Sequence, residues 1–441
     1  MTREESHPGR FDGPLRFRRS LGRPLDHSGR PAEGGPADPR SFVGGALEWL
    51  LLIYAILIFT GISLFGQAPD PTSLQESNPI TFYSNLLFLA TFGLLIFLNF
   101  RKTGDFLPYS HLLMLFLAVA LFSAMWSLVP GVALRRVGTL VVTILVAAYL
   151  VMRFDFQKSI TIIGQAVLTV VILSVLAVIL MPQYGLTQAL PTGTDIDIVG
   201  TWKGVLPHKN SLGWICTAGV QIYAWRFLVE PDRRLRHAAC ILFLMFVAAE
   251  TRSTTALITI ILSIALIAVL NTRSRRGIGQ AALEWAVTGA TVLMLSVVLL
   301  NPGDVMALLG KSADMTGRVP LWRDLLVSIE KHPLLGYGYG TFWVEENAER
   351  ARIWALNPWT PPDAHNAYIE MTLQLGLVGA GIATLLLLVA AKRALDWCKD
   401  GQEKWAIYVA TFLAIYIVTN VDETQLFRGG DFHCFVLSFC Y

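Results

Sequence analysis

The sequence predicts an all-α polytopic integral membrane protein of about eleven or twelve transmembrane helices. A long structured loop precedes the penultimate spans. Three observations carry this prediction: a charge-poor composition, a succession of apolar segments near spanning length, and basic residues gathered at alternate connections.

The chain has 441 residues, 54% of them apolar and 15% charged. Its mean hydropathy is +0.53. A soluble protein carries about 25% charged residues, so most of this chain is solvated by lipid. The net charge of +3 gives no reason to expect nucleic acid as a partner. The cysteines, Cys216, Cys240, Cys398, Cys434 and Cys440, are scattered. They form neither a disulfide framework nor a metal-ligand spacing.

Residues 1–42 open on "MTREESHPGRFDGPLRFRRSLGRPLDHSGRPAEGGPADPR", rich in Arg, Gly and Pro. The stretch lacks the early apolar core of a signal peptide. It reads as a disordered cytoplasmic tail, its arginines opposing translocation.

A spanning helix needs about 20 mostly apolar residues. Apolar segments fall at 44–65, 80–99, 110–128, 133–152, 160–181, 210–228, 237–250, 254–271, 281–300, 366–391 and 405–420. A last one, 432–441, is too short to span. It re-enters the membrane, lies along the interface or is truncated. Three further divisions follow: a bundle of about nine spans over 43–300, a periplasmic loop at 301–365, and C-terminal spans at 366–441.

With the N-terminus cytoplasmic, the inner connections are all basic. They carry Arg101 and Lys102; Arg153 and Lys158; Arg233, Arg234 and Arg236; Arg273, Arg275 and Arg276; and Lys392, Arg393, Lys399 and Lys404. Outside lie 66–79, 129–132, 182–209, 251–253, 301–365 and 421–431.

Some cations break this pattern. Arg135 and Arg136 open the fourth span. Lys203 and Lys209 precede the sixth, Arg252 sits in a tight outer turn, and Arg318 and Arg323 lie in the longest outer loop. Charge at bilayer depth costs roughly 2.5–3.5 kcal/mol on insertion scales. Any one of these cations is explained by snorkelling to headgroups. As a set they point to a shared anionic ligand on the outer face.

The loop at 301–365 exceeds the length of a mere link. Within "RVPLWRDLLVSIEKH", Leu321, Trp322, Leu325, Leu326 and Ile329 share one helical face. Arg323, Asp324, Ser328, Glu330 and Lys331 share the other. The stretch predicts an amphipathic helix between Pro320 and Pro333, followed by the glycine turn "LLGYGYGTFW" and a second helical piece at 344–355. "GYGYG" is similar to a potassium-channel filter, but a charged amphipathic helix precedes it and eleven spans surround it.

Five stretches together resemble the O-antigen ligase and Wzy-type polysaccharide polymerase superfamily, nearest to its ExoQ-like exopolysaccharide polymerases. They are "SAMWSLVPGVALRRVG", "GTWKGVLPHKNSLG", "ETRSTTALI", "TGRVPLWRDLLVSIEKHPLLGYGYGTFW" and "HNAYIEMTLQLGLVG". Their order and spacing cover nearly the whole chain after residue 42. The Arg-rich tail and the short last segment depart from the family pattern.

The resemblance implies glycan transfer from an undecaprenyl-pyrophosphate carrier to an acceptor sugar, on the outer face of the inner membrane. The cations suit that chemistry. A pyrophosphate leaving group needs its developing charge stabilised more than it needs a strong acid, and guanidinium groups do this without deprotonating. Arg252 and Arg318 match the family's motif arginines; Arg135, Arg136, Lys203 and Lys209 would complete the cradle. The acceptor hydroxyl gains from a base near neutral pKa. His365, at the mouth of a span, is that candidate. His208, with Asn210, is a weaker one that would position substrate, and His332 before a proline is structural.

No Walker or Rossmann pattern is present, and no cofactor is expected. "TDIDIVG" places Asp195 and Asp197 in a DxD spacing, but with these arginines a metal is redundant for charge neutralisation. The expected partners are a lipid-linked donor, a glycan acceptor, membrane lipids, a flippase and a chain-length regulator. Two alternatives stand: an O-antigen ligase acting on lipid A-core, and a transporter or flippase of lipid-linked glycans. A transporter would show internal repeats and charges deep within its spans.

Overall fold

A computed structural model describes residues 39–62, 79–98, 111–188, 199–273, 317–399 and 403–440. Residues 1–38 of the predicted disordered tail, the 281–300 segment and the Asp195/Asp197 pair lie outside them, whereas residues 39–42, placed in that tail by the sequence reading, are helical. The chain divides into two compact units, Met1–Leu51 and Leu52–Tyr441. Of the first, only the opening turns of α1 (Pro39–Phe59) are described.

The described residues are helical and contain no strand, only one isolated antiparallel bridge between Leu186 and Trp202. In chain order, α2 is Pro79–Leu98, α3 His111–Phe122, α4 Pro130–Arg153 and α5 Phe156–Leu180. Next come α6 Lys209–Val229, α7 Arg234–Glu250 and α8 Thr254–Arg273. The loop supplies α9 Arg318–Lys331 and α10 Ala348–Leu356; α11 Ala367–Lys399, α12 Glu403–Thr419 and α13 Phe432–Cys440 close the chain.

Among the described residues five helices are long and apolar enough to cross a membrane: α2, α4, α5, α8 and α11. The predicted spans at 210–228 and 405–420 are helices α6 and α12, and both are largely buried by other helices. α6 therefore tolerates Thr217, Gln221 and Arg226 among its buried residues. Gly219 lets α5 and α7 approach it, since a Cβ there would lie 2.8 Å from Leu244 and 2.9 Å from Val167.

Local signals start these helices. Pro130 opens α4, where a missing N–H costs nothing. The Asp155 carboxylate caps α5 through the Lys158 N–H at 2.7 Å. At 432–441 the structure selects a short buried helix: α13 packs against α4 and α12, and Asp431 Oδ1 accepts the Cys434 N–H at 3.2 Å.

α11 is longer than the predicted 366–391 and is broken at Gly376, whose φ of 62° and ψ of −166° are not helical. The turn after α9 re-bonds the break. Leu377 N–H donates to the Pro333 carbonyl at 2.8 Å and Val378 N–H to that of Leu334 at 3.3 Å. In return Tyr337 N–H donates to the Leu373 carbonyl at 2.8 Å and Gly338 N–H to that of Gln374 at 2.9 Å. Broken helical backbone survives where neighbours re-satisfy it, and residues 333–338 do so here. A Cβ on Gly376 would lie 2.2 Å from the Leu334 carbonyl, so only glycine permits this approach.

The loop folds on a small core of its own: Leu321, Leu325, Tyr337, Phe342, Trp343, Ile353, Ala364 and Leu373. α9 is helical as predicted, but its buried face is rotated. Leu326 is 52% exposed while Ser328 is buried. Ser328 donates to Glu349 at 2.8 Å, and Arg352 donates to Ser328 at 2.8 Å. α10 and Tyr337, rather than periodicity alone, set which side of α9 is covered.

Candidate active site

The connections 182–209, 251–253, 301–365 and 421–431 come together near His365. Ala367 N–H donates to the Asn420 carbonyl at 2.8 Å, tying the start of α11 to the 420–431 turn. The residue before His365 is clamped on both sides. Ala364 N–H donates to Glu370 Oε2 at 3.0 Å, and its carbonyl accepts Trp322 Nε1–H at 2.9 Å. Trp322 lies on α9, so the clamp sets His365 against the helix that begins with Arg318. Glu370 is itself held by Trp343 at 2.9 Å and Gln374 at 2.8 Å.

Arg318 stands in an acidic recess. Its Nη1 is paired with Asp422, and its Nη2 is 4.0 Å from Glu423. Asp422 also accepts from Thr255 at 2.9 Å, and Glu423 from Asn210 at 3.1 Å. Burial raises the Glu423 pKa to about 7, against the opposing pull of Arg318. Burial likewise lowers the pKa of Arg318.

His365 has Asp363 beneath it. Asp363 Oδ1 accepts the His365 N–H at 2.9 Å and the Thr424 hydroxyl at 3.0 Å; Oδ2 accepts Arg428 at 3.2 Å. The imidazole Nδ1 is 3.8 Å from Asp363 Oδ1, beyond hydrogen-bond reach, and is a buried atom without a partner. Burial lowers the His365 pKa; Asp363 raises it, and Arg318 and Arg428 lower it further. The ring is therefore neutral near pH 7. Burial would raise the Asp363 pKa, but His365, Arg428 and two hydrogen bonds bring it below the ordinary range.

Among the described residues only Arg252, His365 and Phe427 combine a side chain with positive φ, at 48°, 45° and 49°. Such conformations cost about 1–3 kcal/mol each and persist where surroundings over-determine them. Here the Ala364 clamp and the Asp363 bonds hold the backbone at His365. All three residues lie in the meeting connections.

The other nominated residues divide. Lys209 Nζ donates to the Arg252 carbonyl at 3.4 Å, bringing those two together. Lys203 lies within electrostatic reach of His208, as do Lys209, His365 and Arg318. Loss of solvation first, then the neighbouring Lys209, push the His208 pKa down. His208 Nδ1 accepts the Asn210 N–H at 3.2 Å, so this histidine caps α6, while the Asn210 amide reaches Glu423. Arg136 is committed elsewhere, donating to the Gly340 carbonyl in the "GYGYG" turn. It lies within electrostatic reach of Arg135, Arg428 and Glu370. His332 stacks edge-on against Tyr337 at 4.6 Å.

Sequence reasoning missed the 421–431 turn, which supplies Asp422, Glu423, Thr424 and Arg428. Its signal was a dense polar stretch, "DETQLFRGGD", between two apolar segments. Among the described residues no group of three or more His, Cys, Asp or Glu could hold a metal ion.

This arrangement sets the Arg318 guanidinium beside a neutral imidazole and brings the Lys209 ammonium to the Arg252 backbone, so that an anion could be held at Arg318. Residues 237–384 match the family model described as O-Antigen ligase. That match contains Arg252, Arg318 and His365. The chain is also 24% identical over 373 residues to the exopolysaccharide production protein ExoQ of Rhizobium meliloti (strain 1021), covering 79% of this chain and 82% of that protein. This polytopic helical membrane chain is thus similar to the O-antigen ligase family over residues 237–384, and its resemblance to an exopolysaccharide production protein extends over most of its length.

Proposed function

We propose that the protein is a bacterial inner-membrane glycosyltransferase that polymerises exopolysaccharide repeat units carried on undecaprenyl pyrophosphate. The reaction takes place at the periplasmic face, with the N-terminus cytoplasmic and the 301–365 loop outside. The observation that carries this reading is the neutral, half-buried His365 beside Arg318, the first set by the Ala364 clamp and the second by Asp422.

In this reading Arg318 and Arg252 hold the pyrophosphate, with Lys203 and Lys209 at the edge of the recess. His365 accepts the proton of the acceptor hydroxyl as its oxygen attacks the anomeric carbon. The bond from that carbon to the phosphate oxygen breaks, and the electron pair leaves on the carrier pyrophosphate. The arginines stabilise that charge where a divalent ion otherwise would, so the transfer is metal-independent. The family match by itself equally favours ligation to lipid A-core. A flippase and a chain-length regulator are the expected protein partners.

The test uses the full-length protein in proteoliposomes with carrier-linked repeat units extracted from a strain lacking the gene. A ladder of longer carrier-linked glycans, undiminished by excess EDTA, is expected. Transfer only to added lipid A-core would make the protein a ligase. Movement of the lipid across the bilayer without any transfer would sink the enzymatic reading. Loss of the ladder in chelator, restored by magnesium or manganese, would overturn metal independence.

A further inference from the structure

We infer that Trp359 is a sugar-ring platform: a subsite for the pyranose next to the pyrophosphate, selecting glycan-bearing carrier over bare carrier. The inference deepens the function proposed above and rests on it. In glycosyl transfer the reacting sugar lies between the leaving phosphate and the base. Trp359 occupies that interval. Its ring centroid is 5.5 Å from that of His365, tilted by 44°. On its other side Gly317, the residue before Arg318, comes so close that a Cβ there would lie 3.0 Å from the indole nitrogen.

The indole N–H is the second observation. The described loop between Arg318 and Asn366 holds four tryptophans. Three are satisfied: Trp322 donates to the Ala364 carbonyl at 2.9 Å, Trp343 to Glu370 at 2.9 Å and Trp354 to the Pro361 carbonyl at 3.0 Å. Trp359 Nε1 is buried and has no partner. Buried donors are paired in the great majority of cases, and an exception calls for an explanation. The loop pairs three indoles and leaves the fourth, whose ring lies 5.5 Å from that of the candidate base, with its donor beside the side-chain-free Gly317 and open to a ligand oxygen.

The ring is also suited to the task. It is partly exposed, and its inner edge packs on the loop core. It lies in "NPWTPP", whose prolines limit backbone freedom. Asn357, two residues earlier, donates to Asp324 at 3.2 Å, fixing the segment to α9. Tryptophan offers an apolar face to the C–H side of a pyranose and a polar edge to its hydroxyls.

The test measures binding of two probes to the full-length protein in nanodiscs: bare undecaprenyl pyrophosphate, and the carrier-linked repeat unit from the gene-deletion strain. Wild type is expected to bind the glycan-bearing lipid more tightly. Trp359→Phe keeps the ring and should lose about three- to tenfold of that preference, the size of one neutral hydrogen bond. Trp359→Ala should abolish the preference. Both variants should bind bare carrier as wild type does, which shows the fold intact. Failure of wild type to bind either lipid would defeat the functional reading itself. Binding of both lipids with the preference undiminished in Trp359→Phe and Trp359→Ala would overturn the platform alone. Equal loss of both lipids in Trp359→Phe would make Trp359 a packing residue.

Discussion

Two charged clusters lie at opposite ends of α6, roughly 30 Å apart by helical rise, and they are built differently. At the C-terminal end Arg226 grips Glu230 bidentately at 2.9 and 3.1 Å, and His237 Nε2 lies 3.1 Å from the same carboxylate. The whole cluster comes from one helical hairpin and twelve residues of chain. At the N-terminal end, Lys209 reaches the Arg252 carbonyl and Asn210 reaches Glu423, while the same 422–428 turn pairs with Arg318 and with Asp363 beside His365. Both clusters contain a histidine whose Nδ1 is buried without a partner. What separates them is the backbone: His237 sits in a regular helix, whereas His365 and Arg252 are held at positive φ. A local ion cluster on helical backbone costs little to assemble and closes a hairpin. A cluster drawn from four connections, with strained backbone, exists because the fold imposes it.

That contrast is broken most directly by exchanging histidines. His365→Ala should lower turnover by about 10²–10⁴-fold, the usual scale for a general base. His365→Gln, which can hydrogen-bond but takes no proton at neutral pH, should be nearly as inactive. His237→Gln should leave turnover per folded molecule within a few-fold of wild type. Turnover of purified variants on carrier-linked repeat units decides it; a fully active His365→Gln would reduce that residue to orientation or packing.

Arginines sharpen the comparison next. Arg318→Ala and Arg252→Ala should each cost about 10²–10³-fold in transfer, as loss of a charge-stabilising donor does, while the protein still accumulates in the membrane. Lysine should rescue only in part, lacking the planar fork. Arg226→Ala should do the opposite. It strands a buried partner at about 3–5 kcal/mol, so membrane accumulation drops and specific activity holds. Normal transfer by both alanine variants at the candidate site would make those arginines headgroup contacts.

The smaller effects concern pH. His365 titrates below the ordinary histidine value of 6.5 because burial outweighs Asp363. Turnover should therefore fall only as pH drops through that lowered pKa, where the base becomes protonated. Glu423 works in the other direction. Its pKa is raised to about 7, so falling pH neutralises it and frees Arg318 of one competitor. Donor affinity should rise a few-fold as pH falls from 8 to 6. Glu423→Gln should flatten that slope, and an unchanged slope in the variant would remove Glu423 from donor binding.

Much of the helical content was legible in the sequence. Apolar runs placed α4, α5, α6 and α8, because hydropathy is a property of contiguous residues. Arg252 and Arg318 became candidates for another reason, since a charge near a span end is costly enough to demand an explanation, and His365 because a base of near-neutral pKa heads a span. The break in α11 was not legible. "LQLGLVG" reads as continuous helix, and Gly376 leaves it only because the backbone of residues 333–338 supplies substitute hydrogen bonds. The buried face of α9 was half legible, since Leu321 and Leu325 follow the period but Ser328 follows its partners on α10.

The sequence by itself determined a lipid-solvated helical chain with misplaced cations on one set of connections, since these follow from composition, periodicity and the cost of charge near the bilayer. Only the tertiary structure decided that Arg318 faces Asp422 and Glu423, that His208 is occupied as a helix cap, and that Arg136 is bound to the "GYGYG" turn. Those pairings join residues 104 and 204 positions apart in the cases of Arg318 with Asp422 and Arg136 with Gly340. No local pattern encodes such a contact; it arises when packed helices bring their connecting turns to a common place.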